Sequence, residues 1–325
     1  MGVFDTPLQL EKGLSRVSRN ANPPTPRPTR PPWLRQLPTR ACGWLLLAGV
    51  ALCLAGRATA QEPPYFVAYS HQLEEPGNLE IEANSVYATQ RGGHDFIAPW
   101  MEFEYGAKGW WTTEFYLDTQ ATFGDSALFT GYRWENRFRP LMREHWINPV
   151  LYLEWEDTNG ADKTMKEVVG FDNEADHAVP NAEASREHDH ELETKLILSG
   201  NFKGWNVAEN FIGEKNLGDE PWEFGYALGA SRPLRLAATP RPCDFCPENL
   251  VAGAEMYGGL GTAKNLTLSG TSHYFAPVLG WQLPNGVTFR LSPGFGLNDN
   301  SHRFLLRWGF SYEIGGFGRR LRSLL

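Results

Sequence analysis

Cysteine is scarce in this sequence. There are four in 325 residues, and two of them, Cys42 and Cys53, fall within the first sixty. That excludes a disulfide framework of the kind that holds small secreted domains together, and a chain of this length can bury a core without one. Long hydrophobic runs are also missing. No stretch of about 20 apolar residues occurs after residue 60, which excludes a bundle of membrane-spanning helices. Basic charge is in deficit, with 30 Lys+Arg against 38 Asp+Glu and a net charge of −8. The basic face of a nucleic-acid binder is therefore absent, and no nucleic-acid partner is expected. No helical period persists beyond a turn or two after Gln61. What the chain does have is 12 Trp, 11 Tyr and 19 Phe beside 33 Gly, with 42% hydrophobic residues overall. That is too apolar for disorder and leans towards β structure.

The first sixty residues differ from the rest. Residues 1–40 are rich in Pro and Arg, with Pro23, Pro24, Pro26, Pro28, Pro31 and Pro32 among them, and read as a disordered extension or a misassigned start. Residues 41–60 read as a signal peptide. Arg27, Arg30, Arg35 and Arg40 precede the apolar stretch Trp44 to Ala55, and Ala58-Thr59-Ala60 supplies a small-x-small cleavage signal before Gln61. The apolar stretch is about 12 residues long, too short to span a bilayer. Removing residues 1–60 takes away eight Lys+Arg and two Asp+Glu, which moves the net charge from −8 to about −14. Residues 61–78 are expected to be a periplasmic N-terminal segment.

From residue 79 onwards, apolar and polar residues alternate over stretches of about ten, each closed by Gly, Pro, Asn or Asp. Twelve strands are predicted: 79–88, 95–105, 110–120, 127–138, 149–157, 190–199, 203–213, 222–231, 250–260, 273–283, 287–298 and 303–314. The last is the clearest. Phe304, Leu306, Trp308, Phe310, Tyr312 and Ile314 share one face, and Arg303, Leu305, Arg307, Gly309, Ser311 and Glu313 the other. Segment 203–213 is weaker, because Glu209 falls on the face of Trp205, Val207 and Phe211.

Alternation alone also suits a soluble sandwich. Three details favour a membrane barrel. The strands are as long as a tilted bilayer crossing requires. One face is nearly free of charge, with aromatic residues near the strand ends. The other face is densely charged with both signs. Lipid cannot hydrogen-bond a free strand edge, so the sheet must close. The expected fold is all-β, a single transmembrane antiparallel barrel of about 12 strands (10–14), over residues 79–314, with a C-terminal tail at 315–325. Glu80, Glu82, Glu102, Glu104, Glu114, Arg133, Glu135, Arg137, Glu154, Glu191, Glu193, Lys195, Arg290, Arg303 and Arg307 are expected to line the pore.

The final strand, Phe304 to Ile314, resembles the aromatic-alternating terminal strand of Gram-negative outer-membrane β-barrel proteins. The chain departs from that pattern by running on through Gly315 to Leu325. The resemblance covers 79–314, and the pattern is also similar to the porin-like group found with aromatic-compound degradation operons. It implies a location in the outer membrane, export through a cleaved signal peptide, and passive passage of small solutes through a charged lumen. The partners implied are outer-membrane lipid, small solutes and the barrel-assembly machinery. No cofactor is expected. A structural or adhesive barrel without a pore, and a lipid-modifying barrel enzyme, remain as alternatives.

Few motifs suggest chemistry. Cys243-Asp244-Phe245-Cys246 lacks the helix start of a redox motif, the following His of a haem site and the second ligand pair of a zinc site, so a local disulfide is expected. The 157–191 region carries Asp157, Asp162, Asp172, Asp176, His177, His188, Asp189, His190 and Glu191 without a fixed ligand spacing. No metal site is expected, and His177, His188 and His190 are the nearest candidates. Ser272 and His273 are adjacent, so on a strand they point to opposite faces and cannot form a nucleophile–base pair. No catalytic residue is expected.

Overall fold

The computed structural model describes residues 63–90, 93–164, 169–171, 179–237 and 243–323. The signal peptide expected at 41–60 and the 1–40 extension lie outside the described residues, as does His177.

All twelve predicted strands form. They are β1 (Leu79–Thr89), β2 (Phe96–Lys108), β3 (Trp111–Thr122), β4 (Ala127–Phe138), β5 (Asn148–Asn159), β6 (His188–Phe202), β7 (Trp205–Asn216), β8 (Glu223–Pro233), β9 (Leu250–Thr262), β11 (His273–Gln282), β12 (Val287–Gly296) and β13 (Phe304–Ile314). A two-residue strand, β10 (Asn265–Leu266), folds back on β9 alone. Each strand pairs antiparallel with its sequence neighbours, β11 pairs with β9, and β13 returns to pair with β1. The ladder is thus a closed ring of twelve strands. Closure removes the free edge that lipid cannot satisfy.

The ring is inside-out relative to a soluble protein. Its outer face exposes Trp134, Leu151, Phe211 and Phe310, whereas Glu135, Glu154 and Glu193 are fully buried on the inner face. Glu209 does face outwards with Phe211 and Val207, so the irregularity of that segment is a property of the wall and not of the strand count. The β11–β12 ladder is interrupted between Phe275↔Phe295 and Leu279↔Leu291, the stretch that contains Pro277 and Pro293. Proline lacks the N–H that a ladder position needs.

We call the end that carries the start of β1 and the end of β13 the proximal end. Two of its turns are tight: Lys203-Gly204, with both residues at positive φ, and 283–286, closed by Gly286 N–H to Leu283 O at 3.0 Å. The connection between β8 and β9 also lies at this end. Cys243 and Cys246 are disulfide-bonded within it. Phe245 stacks on Trp281 at 4.4 Å, and Trp281 Nε1 donates to Asp244 O at 2.7 Å. The 315–323 stretch does not project as a free tail. Gly316 N–H donates to Asn78 Oδ1 at 2.7 Å, and Phe317, which opens a short helix α1 (Phe317–Arg322), packs on Tyr105.

Closure rests on the β12–β13–β1 seam, where Phe310 pairs with both Phe289 and Ala83. Phe310→Pro removes a ladder donor from a strand paired on both sides. It is expected to abolish the heat-modifiable gel shift of the folded barrel, while Phe310→Tyr keeps it. An unchanged shift in Phe310→Pro would contradict a closed seam.

Candidate functional site: the charged and occluded lumen

Strand parity sends every second residue inwards, and register then decides which of them meet. Glutamates face one another directly on nine consecutive strands. Glu313 pairs with Glu80, Glu80 with Glu104, Glu104 with Glu114 and Glu114 with Glu135. The row continues from Glu135 to Glu154, Glu193, Glu214 and Glu223. Glu313 closes β13 at the proximal end and Glu223 opens β8 at the distal end, so the row climbs the inner wall. Carboxylates placed side by side repel. At about 5 Å and an effective dielectric near 20, an adjacent pair costs roughly 3 kcal/mol.

Basic side chains interleave with the row. Arg137 pairs with Glu104 at 2.7 Å, with Glu135 at 2.9 Å and with Glu114. Arg133 bridges Glu154 and Asp118, each at 3.0 Å. Lys195 pairs with Glu193 at 2.9 Å. Elsewhere on the inner wall, Arg290 pairs with Glu82 and Arg307 donates to Tyr257 Oη. Tyr116 Oη lies 2.5 Å from a Glu114 oxygen and 2.7 Å from one of Glu135. Burying a charge without such partners costs several kcal/mol, so the network is a condition of packing the lumen.

Of the residues expected to line the pore, Glu80, Glu82, Glu104, Glu114, Arg133, Glu135, Arg137, Glu154, Glu193, Lys195 and Arg307 are buried on the inner wall. Glu102, Glu191 and Arg290 are half-buried there. Arg303 is the exception. The chain is still turning at 298–301, β13 begins only at Phe304, and Arg303 is exposed at the distal rim. Inner-wall carboxylates that were not among the candidates include Asp118, Glu156, Glu214, Glu223, Glu255 and Glu313. Asp118, Glu223 and Glu255 stood on polar faces of predicted strands, so parity alone identifies them. Glu214 lay one residue past its predicted strand. Glu156, Glu193 and Glu214 offer carboxylate oxygens within 4.8 Å of one another, beside the ammonium of Lys195 that already pairs with Glu193.

The described part of the segment expected in the periplasm runs instead through the lumen. Residues 63–75 enter and leave at the proximal end. Pro63 and Pro64 lie there with Trp281, Gly286 and Glu313, and Glu74 N–H donates to Glu104 Oε1 at 3.2 Å. Between those points the segment is held by side chains of the wall. The Glu255 carboxylate accepts N–H bonds from Phe66 at 3.1 Å, Val67 at 2.8 Å and Ala68 at 2.7 Å. Three consecutive amides around one anion form a nest. Asn210 accepts from Tyr69 N–H at 2.6 Å and donates to Tyr69 O at 2.9 Å, as a neighbouring strand would. The Tyr69 ring lies 4.4 Å from Lys195 Nζ and 5.4 Å from the Arg137 guanidinium. The wall carries the amide and carboxylate partners this segment needs, while the segment itself has too little periodicity to form a strand.

The distal side is covered as well. Ala161, Lys163, Val169 and Asn181 of the β5–β6 connection are buried. Gln120 Nε2 donates to Ala161 O at 2.7 Å, and Gly170 N–H donates to Phe224 O at 3.0 Å. A cavity of about 90 Å³ between Phe66, Tyr69, Glu102 and Arg137 leaves room for a few waters, not for a solute.

Ser272 and His273 diverge as parity requires. Ser272 Oγ donates to Asn300 O at 2.8 Å, whereas the His273 ring meets Tyr226 Oη and Thr271 Oγ1, each at 3.1 Å.

His71 anchors the segment at the proximal end. Its Nδ1 is 2.5 Å from Ser199 Oγ and its Nε2 3.0 Å from Glu144. Burial lowers its pKa below the ordinary imidazole value, with nearby Arg139 adding to this and Glu144 opposing it. A docked histidine that binds protons less readily than a free one favours docking above the ordinary imidazole pKa. That advantage is lost as pH falls through the lowered value. Nitroxide spectra at Gln72→Cys are expected to show the segment loosening as pH falls below about 6. Added His71→Gln should flatten the dependence, and an unaltered pH profile in that variant would count against it.

No protein-family model matches the chain, and no curated protein matches it by sequence. Solved structures do. An outer membrane channel from Pseudomonas putida F1 is similar at a TM-score of 0.50 and 10% identity, covering 78% of this chain and 100% of that one. The KdgM porin follows at 0.43 and 7%, covering 71% and 98%. LpxR from Salmonella typhimurium stands at 0.39 and 11%, covering 72% and 99%. At these identities the likeness speaks to fold alone. The first of these structures agrees with the closed ladder and its inverted polarity: the chain has the fold of an outer-membrane β-barrel.

Proposed function

We propose that this protein is an outer-membrane channel, exported through a cleaved signal peptide, that passes small cations when residues 63–75 leave the lumen. The observation that carries this reading is the row of nine glutamates climbing the inner wall. Rings of carboxylates select cations in pores. The basic side chains that interleave with the row are fewer than its carboxylates. The segment is a filling that supplies no strand to the ring; it is held by hydrogen bonds, ring contacts and the burial of Tyr65, Val67 and Ala68 against the inner wall.

The test is planar-bilayer recording of the purified protein in a potassium chloride gradient. The intact protein is expected to show small, brief, cation-selective steps. Deleting residues 63–73 should raise the mean conductance several-fold. Glu255→Ala removes the acceptor of three charge-assisted bonds, costs on the order of 3 kcal/mol of docking, and shifts the open population about 100-fold. Glu154→Gln should reduce the cation preference without closing the pore. Absence of any conductance in the deletion variant would overturn the channel reading in favour of a structural barrel. Phospholipid or lipopolysaccharide turnover by the intact protein would overturn it in favour of an enzyme.

A further inference from the structure

The outer wall carries a second polar constellation, remote from the lumen. Asp157 on β5 lies directly opposite His190 on β6, and His188 is two residues further along β6. Residues two apart on a strand share a face, so both imidazoles point outwards with Asp157. Both histidines are exposed, and Asp157 is half-buried beside them. The Nδ1 atoms of His188 and His190 each stand 3.7 Å from the same oxygen, Asp157 Oδ1.

That distance is informative. A direct hydrogen bond would bring nitrogen and oxygen to about 2.7–3.2 Å. In a tetrahedral zinc site with bonds of about 2.0–2.1 Å, neighbouring ligand atoms stand roughly 3.3 Å apart. The two contacts are therefore too long for hydrogen bonds and within a few tenths of an ångström of a ligand–ligand edge. The three ligand atoms do not yet all stand within 4.8 Å of one another, so both exposed imidazoles would have to turn about their side-chain torsions to close on an ion.

The surroundings hold the ligands in place. Tyr132 stands directly opposite Asp157 on β4, and its ring meets that of Trp155 at 5.5 Å. The His190 ring stacks on Trp155 at 6.1 Å with an interplanar angle of 16°. Two imidazoles with one carboxylate suit a borderline transition-metal ion better than calcium or magnesium, which take shells of oxygen.

We propose that Asp157, His188 and His190 form a surface site for a divalent transition-metal ion of the zinc class. Register supplies the carboxylate that sequence spacing did not. The ion would tie β5 to β6 at the point where the 160–187 connection leaves them, and so steady the distal cover of the lumen.

The test uses tag-free full-length protein in detergent, stripped with a chelator and titrated with zinc by calorimetry. A parallel titration with cobalt(II) is read by its visible absorption. One equivalent per chain and tetrahedral cobalt bands are expected. His188→Asn, His190→Asn and Asp157→Asn should each weaken zinc binding about tenfold or more, while His94→Asn leaves it unchanged. The heat-modifiable gel shift reports that each variant is folded. No zinc uptake by the wild type, or uptake unaltered in folded His188→Asn/His190→Asn, would overturn the site.

Discussion

Mutual repulsion along the glutamate row is the constraint around which the interior is organised. The wall must be closed because lipid offers no hydrogen bonds, and closure fixes the register of every strand. That register places Glu80, Glu104, Glu114, Glu135, Glu154, Glu193 and Glu214 edge to edge. In a narrow interior of low dielectric such a row is untenable unless cations enter it. Arg137, Arg133 and Lys195 do so, and Tyr116 shares its hydroxyl between two of the carboxylates.

The filling of the lumen follows from the same electrostatics. Arg137 and Lys195 each pair with glutamate and still present a face to the lumen, where the Tyr69 ring meets both. Arg290 pairs with Glu82 and stands over Phe66 at 5.2 Å. Glu255, away from the row, finds its donors in three backbone amides of the segment. The segment therefore completes the wall's charge balance at both signs, through ring faces for the cations and N–H groups for the anion. This explains why an irregular stretch of chain is fixed in one conformation without regular structure of its own.

The architecture was legible in the sequence because a barrel writes itself in period two. All twelve strands, their facing and the disulfide of Cys243 with Cys246 follow from alternation and local spacing. Most inner-wall charges follow from parity too. What parity does not give is who stands opposite whom. The glutamate row needs the register of nine strands, and the Asp157–His190 juxtaposition needs the register of β5 on β6 across a connection of nearly thirty residues. Arg303 was misplaced because a strand end moved by one residue at a rim. The course of residues 63–75 was not legible at all. Its partners, Ser199, Asn210 and Glu255, are scattered over β6, β7 and β9, and no local pattern in Tyr65 to Leu73 announces them.

Because the segment enters and leaves by one mouth, tension applied at its N-terminal side would act in peeling geometry. The contacts would break in series: Tyr65 from Asn206, then the three amides from Glu255, then Tyr69 from Asn210 and His71 from Ser199. Peeling loads one bond at a time, whereas pulling a strand out of the wall would shear a whole ladder together. A modest mechanical pull from the proximal side would thus clear the lumen long before it threatened the barrel.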